Sequence, residues 1–451
     1  MNDAEAGERD ALLRDWRLEL PSYDESIRYV RGSGKPSTHE LYVQAQSQGR
    51  LTIQPRLGVG GFEEMKRLLQ ALDEGARPDI LTLTIDSYTR LGKFDAASAL
   101  LAKDPSGLNG YPLVSHGWRK TRILNESVRV PLQVRHGSPD ARLLFEVAVA
   151  SGITSFEGGG IGYNLPYCKT VPLEVSLAAW CYVDRACGEL ARRGAIVERE
   201  LFGTLSAVLM PPSISLAVTL IEARLAAAEG VRCVSIAYPQ GGNAVQDIAA
   251  LRAIRALAKL YLPPDVDVFP VLHEYMGPFP RQRAKADALI IFGALIAKLG
   301  GATKVVTKTY DEAFGVPTLA ANAQGVELAR LADDDKLAFI RVDEAAVEEE
   351  LELILSEVRQ LVQPLLDESD LVQGVLDSFE SGRMDIPFST SRSAHSKVVP
   401  MRDRSGAIRI LDPGNLSLDG ESLRKNRRLL GGRAHADDVM AEVLTDIHYF
   451  V

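Results

Sequence analysis

Three apolar stretches each run out into an arginine: Leu51-Thr52-Ile53-Gln54-Pro55-Arg56, Leu81-Thr82-Leu83-Thr84-Ile85 on to Arg90, and Pro131-Leu132-Gln133-Val134-Arg135. Short buried strands of an α/β protein bring their C-terminal ends to the active face, so arginines at those ends gather over a pocket. A guanidinium there holds a carboxylate through two parallel bonds and keeps its charge when desolvated. Three of them suit the grip of a small polyanion, most simply a dicarboxylate. The competing explanation pairs each arginine with an acidic core neighbour; the repetition at matching strand ends favours a ligand.

Other reactive residues fall at similar places. Glu157-Gly158-Gly159-Gly160-Ile161-Gly162-Tyr163-Asn164-Leu165-Pro166-Tyr167 follows a strand and reads as a flexible lip carrying one carboxylate and two phenols, with a plain structural turn as the alternative. His136 follows Arg135, and His273 follows the apolar run 268–272, so both are expected to face the pocket, as catalysts or as structural hydrogen-bonders. Lys308 ends the last strand and Glu312 comes one turn later; an i,i+4 ion pair explains them, and a Schiff-base lysine is the chemical alternative. The glycines of Leu57-Gly58-Val59-Gly60-Gly61 precede a helix and admit close approach of a ligand to the backbone. Arg31-Gly32-Ser33-Gly34-Lys35-Pro36 fails as a phosphate loop because its first glycine and its hydroxyl residue are missing.

The elements that must position these residues alternate along the chain. Helical stripes such as Phe62, Met65, Leu68, Leu69, Leu72 and Val245, Ile248, Leu251, Ile254, Leu257 separate short apolar runs. Nine runs qualify as strands, at 52–55, 80–85, 112–114, 130–134, 153–156, 206–210, 233–237, 268–272 and 303–307, with 112–114 the weakest. Alternation of this kind implies a parallel sheet with right-handed crossovers, and a closed (β/α)8 TIM barrel is the expected fold class, α/β, with an open doubly wound sheet as runner-up. Residues 1–45 read as an N-terminal extension, 46–330 as the barrel, and 331–451 as a C-terminal helical and loop region. Within the last, 345–366 is an acidic amphipathic helix with a solvated charged face, and 400–415 reads as ordered loop.

Composition excludes several classes. The net charge of -9 argues against nucleic acid or an anionic membrane as partner. Cys168, Cys181, Cys187 and Cys233 show no metal-type or disulfide spacing and suit a reducing, cytoplasmic setting. No metal site is expected. The longest apolar run, 288–297, is broken by Gly293 and falls short of the roughly 20 residues that cross a bilayer.

Taken together, 54–61, 81–90, 133–137 and 157–167 resemble the large (epsilon) subunit of the glutamate mutase family, the adenosylcobalamin-dependent methylaspartate mutases. Matching segments continue through Met210-Pro211-Pro212-Ser213, Gly277-Pro278-Phe279-Pro280, 308–318 and Met384-Asp385-Ile386-Pro387-Phe388, so the resemblance covers nearly the whole chain after residue 45. It implies a TIM barrel enclosing the radical interconversion of L-glutamate and (2S,3S)-3-methylaspartate. By matched positions Arg56, Arg90 and Arg135 hold the substrate carboxylates, His136, Tyr163 and Tyr167 complete the pocket, and Glu157 accepts the ammonium and exchanges a proton with the migrating fragment. Gly58, Asn109, Pro166, Phe279, Lys308, Glu312 and Val316 match positions that touch the coenzyme.

The cobalamin modules of this class carry Asp-x-His-x-x-Gly, and this chain has none; Asp446-Ile447-His448 is followed by Tyr449 and Phe450. The resemblance therefore implies a separate small cobalamin-binding subunit and a heterotetramer of two large and two small chains. Two departures stand out, because the family commonly has glutamine and glycine where this chain has Glu274 and Pro278. Glu274 is expected to add a charge near the coenzyme. A lysine-dependent barrel enzyme built on Lys308 and a non-catalytic paralogue that binds the small subunit are the competing readings.

Overall fold

The computed structural model describes residues 3–206, 208–435 and 438–451. Eight parallel strands form one sheet: β1 (Thr52–Pro55), β2 (Leu81–Thr84), β3 (Leu132–Arg135), β4 (Ser155–Glu157), β5 (Glu198–Leu201), β6 (Cys233–Pro239), β7 (Asp267–His273) and β8 (Lys304–Thr307). Each pairs with its sequence neighbour from β2 through β8, and β1 pairs with β8, Gln54 standing opposite Val306. The ring shuts where β1 meets β2. There the Asp79 N–H reaches the Ile53 carbonyl at 3.0 Å, and the Thr84 N–H reaches that of Leu57 at 2.9 Å. A wall of helices surrounds this sheet, as parallel strands buried on both faces require. The fold is a (β/α)8 barrel.

Two of the nine strand candidates are corrected. Residues 112–114 cap and begin a helix, Leu113–Glu126, and only Tyr111 bridges to Ile85. The run 206–210 forms no strand among its described residues; Leu209 is instead buried against Ile408 and Val443 of the C-terminal region. The fifth strand is Glu198-Arg199-Glu200-Leu201, every residue of it buried. Its charges disguise it. They are tolerated because Arg199 pairs with Asp184, Glu200 pairs with Lys304, and Glu198 accepts from the Ser155 hydroxyl.

Three helices, Asp3–Asp15, Tyr23–Gly32 and Thr38–Ser47, form the N-terminal extension, the last two started by capping boxes at Ser22/Glu25 and Ser37/Glu40. Arg9 and Tyr23 of this extension, with Tyr182, converge on the buried Glu146 carboxylate at 2.7, 2.6 and 2.7 Å. The acidic helix Glu344–Leu366 packs on the barrel helices Pro212–Ala228 and Ala244–Tyr261. Its charged face is not wholly solvated: Glu350 is bonded to Arg409, and Glu357 accepts from Ser213 and Asn426. The stretch expected as loop is an antiparallel hairpin, β9 (Val399–Arg402) and β10 (Ile408–Asp412). Asp446 is consumed in bracing it, accepting from the Arg402 N–H at 2.7 Å and pairing with Arg433 at 2.9 Å. Among the described residues no helix is long and apolar enough to cross a membrane.

Candidate active site

The strand ends carry Arg56 just after β1, Arg135 at the end of β3, Glu157 at the end of β4, His273 at the end of β7 and Lys308 just after β8. Arg90 ends a single helical turn, Ser87–Arg90, that Asp86 caps by accepting the N–H groups of Tyr88 and Thr89. Arg56, Arg90 and Arg135 all act electrostatically on the Tyr167 hydroxyl, so the three converge at one mouth. Among the described residues, no carboxylate pairs with Arg56 or Arg90. Arg56 keeps a buried Nε with no hydrogen-bond partner.

Arg135 differs. Its guanidinium lies 2.8 Å from Glu157 Oε1 and 3.4 Å from Glu200 Oε1. Burial disfavours its charge, and Glu157 and Glu200 outweigh that cost. Glu157 is fully buried, with Arg135 on Oε1 and the Tyr163 hydroxyl as its partners. Burial pushes its carboxyl up to about 7 against the pull of Arg135, with the Glu200 charge pushing the same way. A buried carboxylate with one ion pair and a raised affinity for protons is suited to take a cationic or acidic hydrogen from a ligand.

Below Glu157 the barrel is filled by a polar network. Glu200 accepts from His273 Nε2 at 2.8 Å, from Gln133 at 2.8 Å and from Lys304. Lys304 also donates to Gln54 at 2.6 Å, and Gln54 to Gln133 at 2.7 Å. Lys304 and His273 overcome burial and hold Glu200 well below the usual carboxylate range. Burial and the Arg135 charge push His273 down to about 3, so its Nε2 carries the proton given to Glu200. Glu157, Glu200 and His273 cluster as metal ligands would, but Arg135 and Lys304 already supply the positive charge.

The lip is not loose. Residues 158–165 are buried, Glu222 accepts the Ile161 and Gly162 N–H groups at 2.8 Å each, and Ser389 Oγ donates to the Leu165 carbonyl at 2.6 Å. Only its end reaches solvent, with Tyr167 47% exposed at the mouth. Tyr163 and His136 pack edge to face 5.1 Å apart inside it. Burial and then the charges of Arg199 and Arg90 keep His136 well below its usual range, and its Nδ1 accepts from the Ser138 N–H at 3.0 Å.

Around the rim, Lys308 donates to Glu312 at 2.7 Å, and burial with the Arg56 charge lowers its ammonium to about 8. Phe314 and Val316 are exposed, Phe279 is buried, and Pro166 and Asn109 lie on the same face. Phe279 and Glu312 share a cleft of about 540 Å³ with Gly277 and Pro280. The glycines after β1 serve the chain itself: a Cβ on Gly58 would sit 2.6 Å from the Thr84 carbonyl, and one on Gly60 2.2 Å from that of Pro105. Glu274 is fully buried. It accepts from the Lys308 N–H at 2.7 Å and Thr307 Oγ1 at 3.0 Å, and burial raises its proton affinity well above the usual range.

Sequence reasoning missed Arg199, Glu200, Lys304 and Glu222. One signal pointed to the first two: a strand is required between the helices Leu173–Arg192 and Pro212–Ala228, and among the described residues there the extended segment is 198–201.

This chain matches the family described as methylaspartate mutase E chain over residues 35–448. It belongs to that family. The glutamate mutase epsilon subunit of Escherichia coli O157:H7 is 38% identical over 447 residues, covering 95% of this chain and 92% of that protein. The epsilon subunit of Halobacterium salinarum is 44% identical over 438 residues, covering 95% and 91%. That of Treponema denticola is 40% identical over 441 residues, again covering 95% and 91%. Methylaspartate mutase E-chain membership thus spans both the strand ends and the rim.

Proposed function

We propose that this chain is the catalytic subunit of a glutamate mutase, interconverting L-glutamate and (2S,3S)-3-methylaspartate with adenosylcobalamin carried by a small partner subunit in a cytoplasmic heterotetramer. The observation that carries it is the presence of two guanidiniums without acidic partners, Arg56 and Arg90, beside a buried carboxylate of raised proton affinity, Glu157, at one barrel mouth of a chain in this family. In this reading 46–330 is the catalytic unit, braced by 1–45 and 331–451.

The rim residues fit the coenzyme. Lys308 and Glu312 offer one donor and one acceptor to ribose hydroxyls, and the exposed Phe314 and Val316 offer an apolar ledge. Gly58, Asn109, Pro166 and Phe279 complete the contact. When bound, the coenzyme supplies the unpaired electron through homolysis of its cobalt–carbon bond. Everything else falls to the chain. Arg56, Arg90 and Arg135 fix the two substrate carboxylates, so that a migrating fragment recombines without drifting away. Glu157 receives the ammonium and exchanges a proton with the migrating glycinyl fragment, while Tyr163, Tyr167 and His136 close the pocket against water.

The test mixes the chain with its cobalamin subunit, coenzyme and L-glutamate, and looks for 3-methylaspartate. Formation of methylaspartate that stops when either subunit is omitted supports the assignment. A borohydride-trapped substrate adduct on Lys308 in place of that product would replace it with Schiff-base chemistry.

A further inference from the structure

We infer that Arg199, on β5, is a positioning residue that sets Glu157 and His136 from behind the pocket, an inference that rests on Glu157 being the ammonium acceptor. β5 alternates. Glu198 and Glu200 turn into the barrel, where they meet Ser155 and Lys304, while Arg199 turns outward to Asp184 of the helix Leu173–Arg192, Nε donating to Oδ1 at 2.7 Å. Its other two nitrogens bracket Glu157: Nη1 donates to the Phe156 carbonyl and Nη2 to the Gly158 carbonyl, each at 2.8 Å. The chain is held on both sides of the reactive residue by one rigid fork.

That fork is needed because the backbone bends sharply there. Gly158 has φ +120°, and a Cβ on it would lie 2.4 Å from the Tyr163 ring and 2.6 Å from that of Trp180. A buried turn of this kind stays in place only where its carbonyls are satisfied. The Arg199 guanidinium also lies 4.7 Å over the Trp180 ring, and Trp180 stacks on His136 at 5.6 Å with planes 4° apart. One side chain therefore fixes the carboxylate directly and the imidazole through an indole. A lysine keeps the charge but lacks the planar fork that reaches both carbonyls and Asp184 together.

The readout is discrimination between L-glutamate and glutarate, the same diacid without its ammonium, in the assembled enzyme with its cobalamin subunit. Glutarate depends on the arginines alone. Arg199→Lys is expected to lower kcat/KM for glutamate about 100-fold, as misplacement by about 1 Å does, while the inhibition constant of glutarate stays within about twofold. Should Arg199→Lys not fold, Arg199→Gln combined with Asp184→Asn leaves no buried charge and is expected to give the same split. Equal loss of glutamate and glutarate binding, or no change in either, would overturn the inference. Glu157→Gln in parallel separates the premise: if that variant still prefers glutamate to glutarate as the wild type does, the role of Glu157 fails whatever Arg199 does.

Discussion

In the lower barrel, Lys304 is bonded to Glu200 and Gln54, Glu200 to His273 and Gln133, and Glu198 to Ser155. At the mouth, above this layer, Arg56 and Arg90 have no acidic partner among the described residues, and Glu157 keeps a raised affinity for protons beside Arg135. The same residue types sit in both layers. Below, cation and anion cancel within the chain and hold the strands in register. Above, positive charge is left over, which is what a dianionic ligand would complete. Leaving buried polar groups unmatched costs free energy, so the mismatch marks where a ligand belongs.

Breaking the lower layer should damage folding first. Lys304→Met strands Glu200 in a site where both side chains are fully buried, and the expected loss is about 3–5 kcal/mol in denaturant unfolding. Combining it with Glu200→Gln should recover much of that loss. Breaking the upper layer should leave folding alone and damage turnover. Arg90→Met removes a charge-assisted bond to substrate worth about 1.5–3 kcal/mol, an expected fall of about 10- to 150-fold in kcat/KM for glutamate with an unchanged unfolding midpoint.

Protonation sharpens the same contrast. Glu157 is raised from 4.5 to about 7, so the folded chain binds its proton more tightly than the unfolded chain does. Its contribution to stability is therefore full below 4.5 and is lost as pH rises to about 7. On the proposed assignment substrate binding runs the other way, because the ammonium needs the carboxylate. Unfolding measured across this range should show a decline with pH that Glu157→Gln removes, while glutamate affinity of the wild type climbs. The smallest effect belongs to Glu274→Gln. Since burial disfavours its charge and a glutamine oxygen can accept the same two bonds, activity should stay within about twofold and stability within about 0.5 kcal/mol, by kinetics and thermal unfolding.

The mouth was legible in the sequence because Arg56 and Arg135 close apolar strands and Arg90 follows a third by one helical turn, and the spacing of those strands follows the helices between them. The lower layer was not. Glu198-Arg199-Glu200-Leu201 looks like a surface segment, and only the three-dimensional arrangement brings Lys304, from a strand some hundred residues on, to neutralise Glu200. Leu209 misled in the opposite sense: its run is apolar because it covers Ile408 and Val443, not because it is a strand. The hairpin at 399–412 was hidden by Arg402, whose buried guanidinium donates to the Asp446 and Gly406 carbonyls, and by Arg409, which pairs with Glu350 and Asp403. Hydropathy reports burial of apolar atoms, and it fails wherever charges are buried in pairs.

The most direct measurement is a structure of the assembled enzyme with L-glutamate bound. Both carboxylates should lie on Arg56, Arg90 and Arg135, with the ammonium on Glu157. Glutamate held elsewhere, or Arg56 and Arg90 turned away onto acids of their own chain, would contradict the assignment of this mouth as the substrate site.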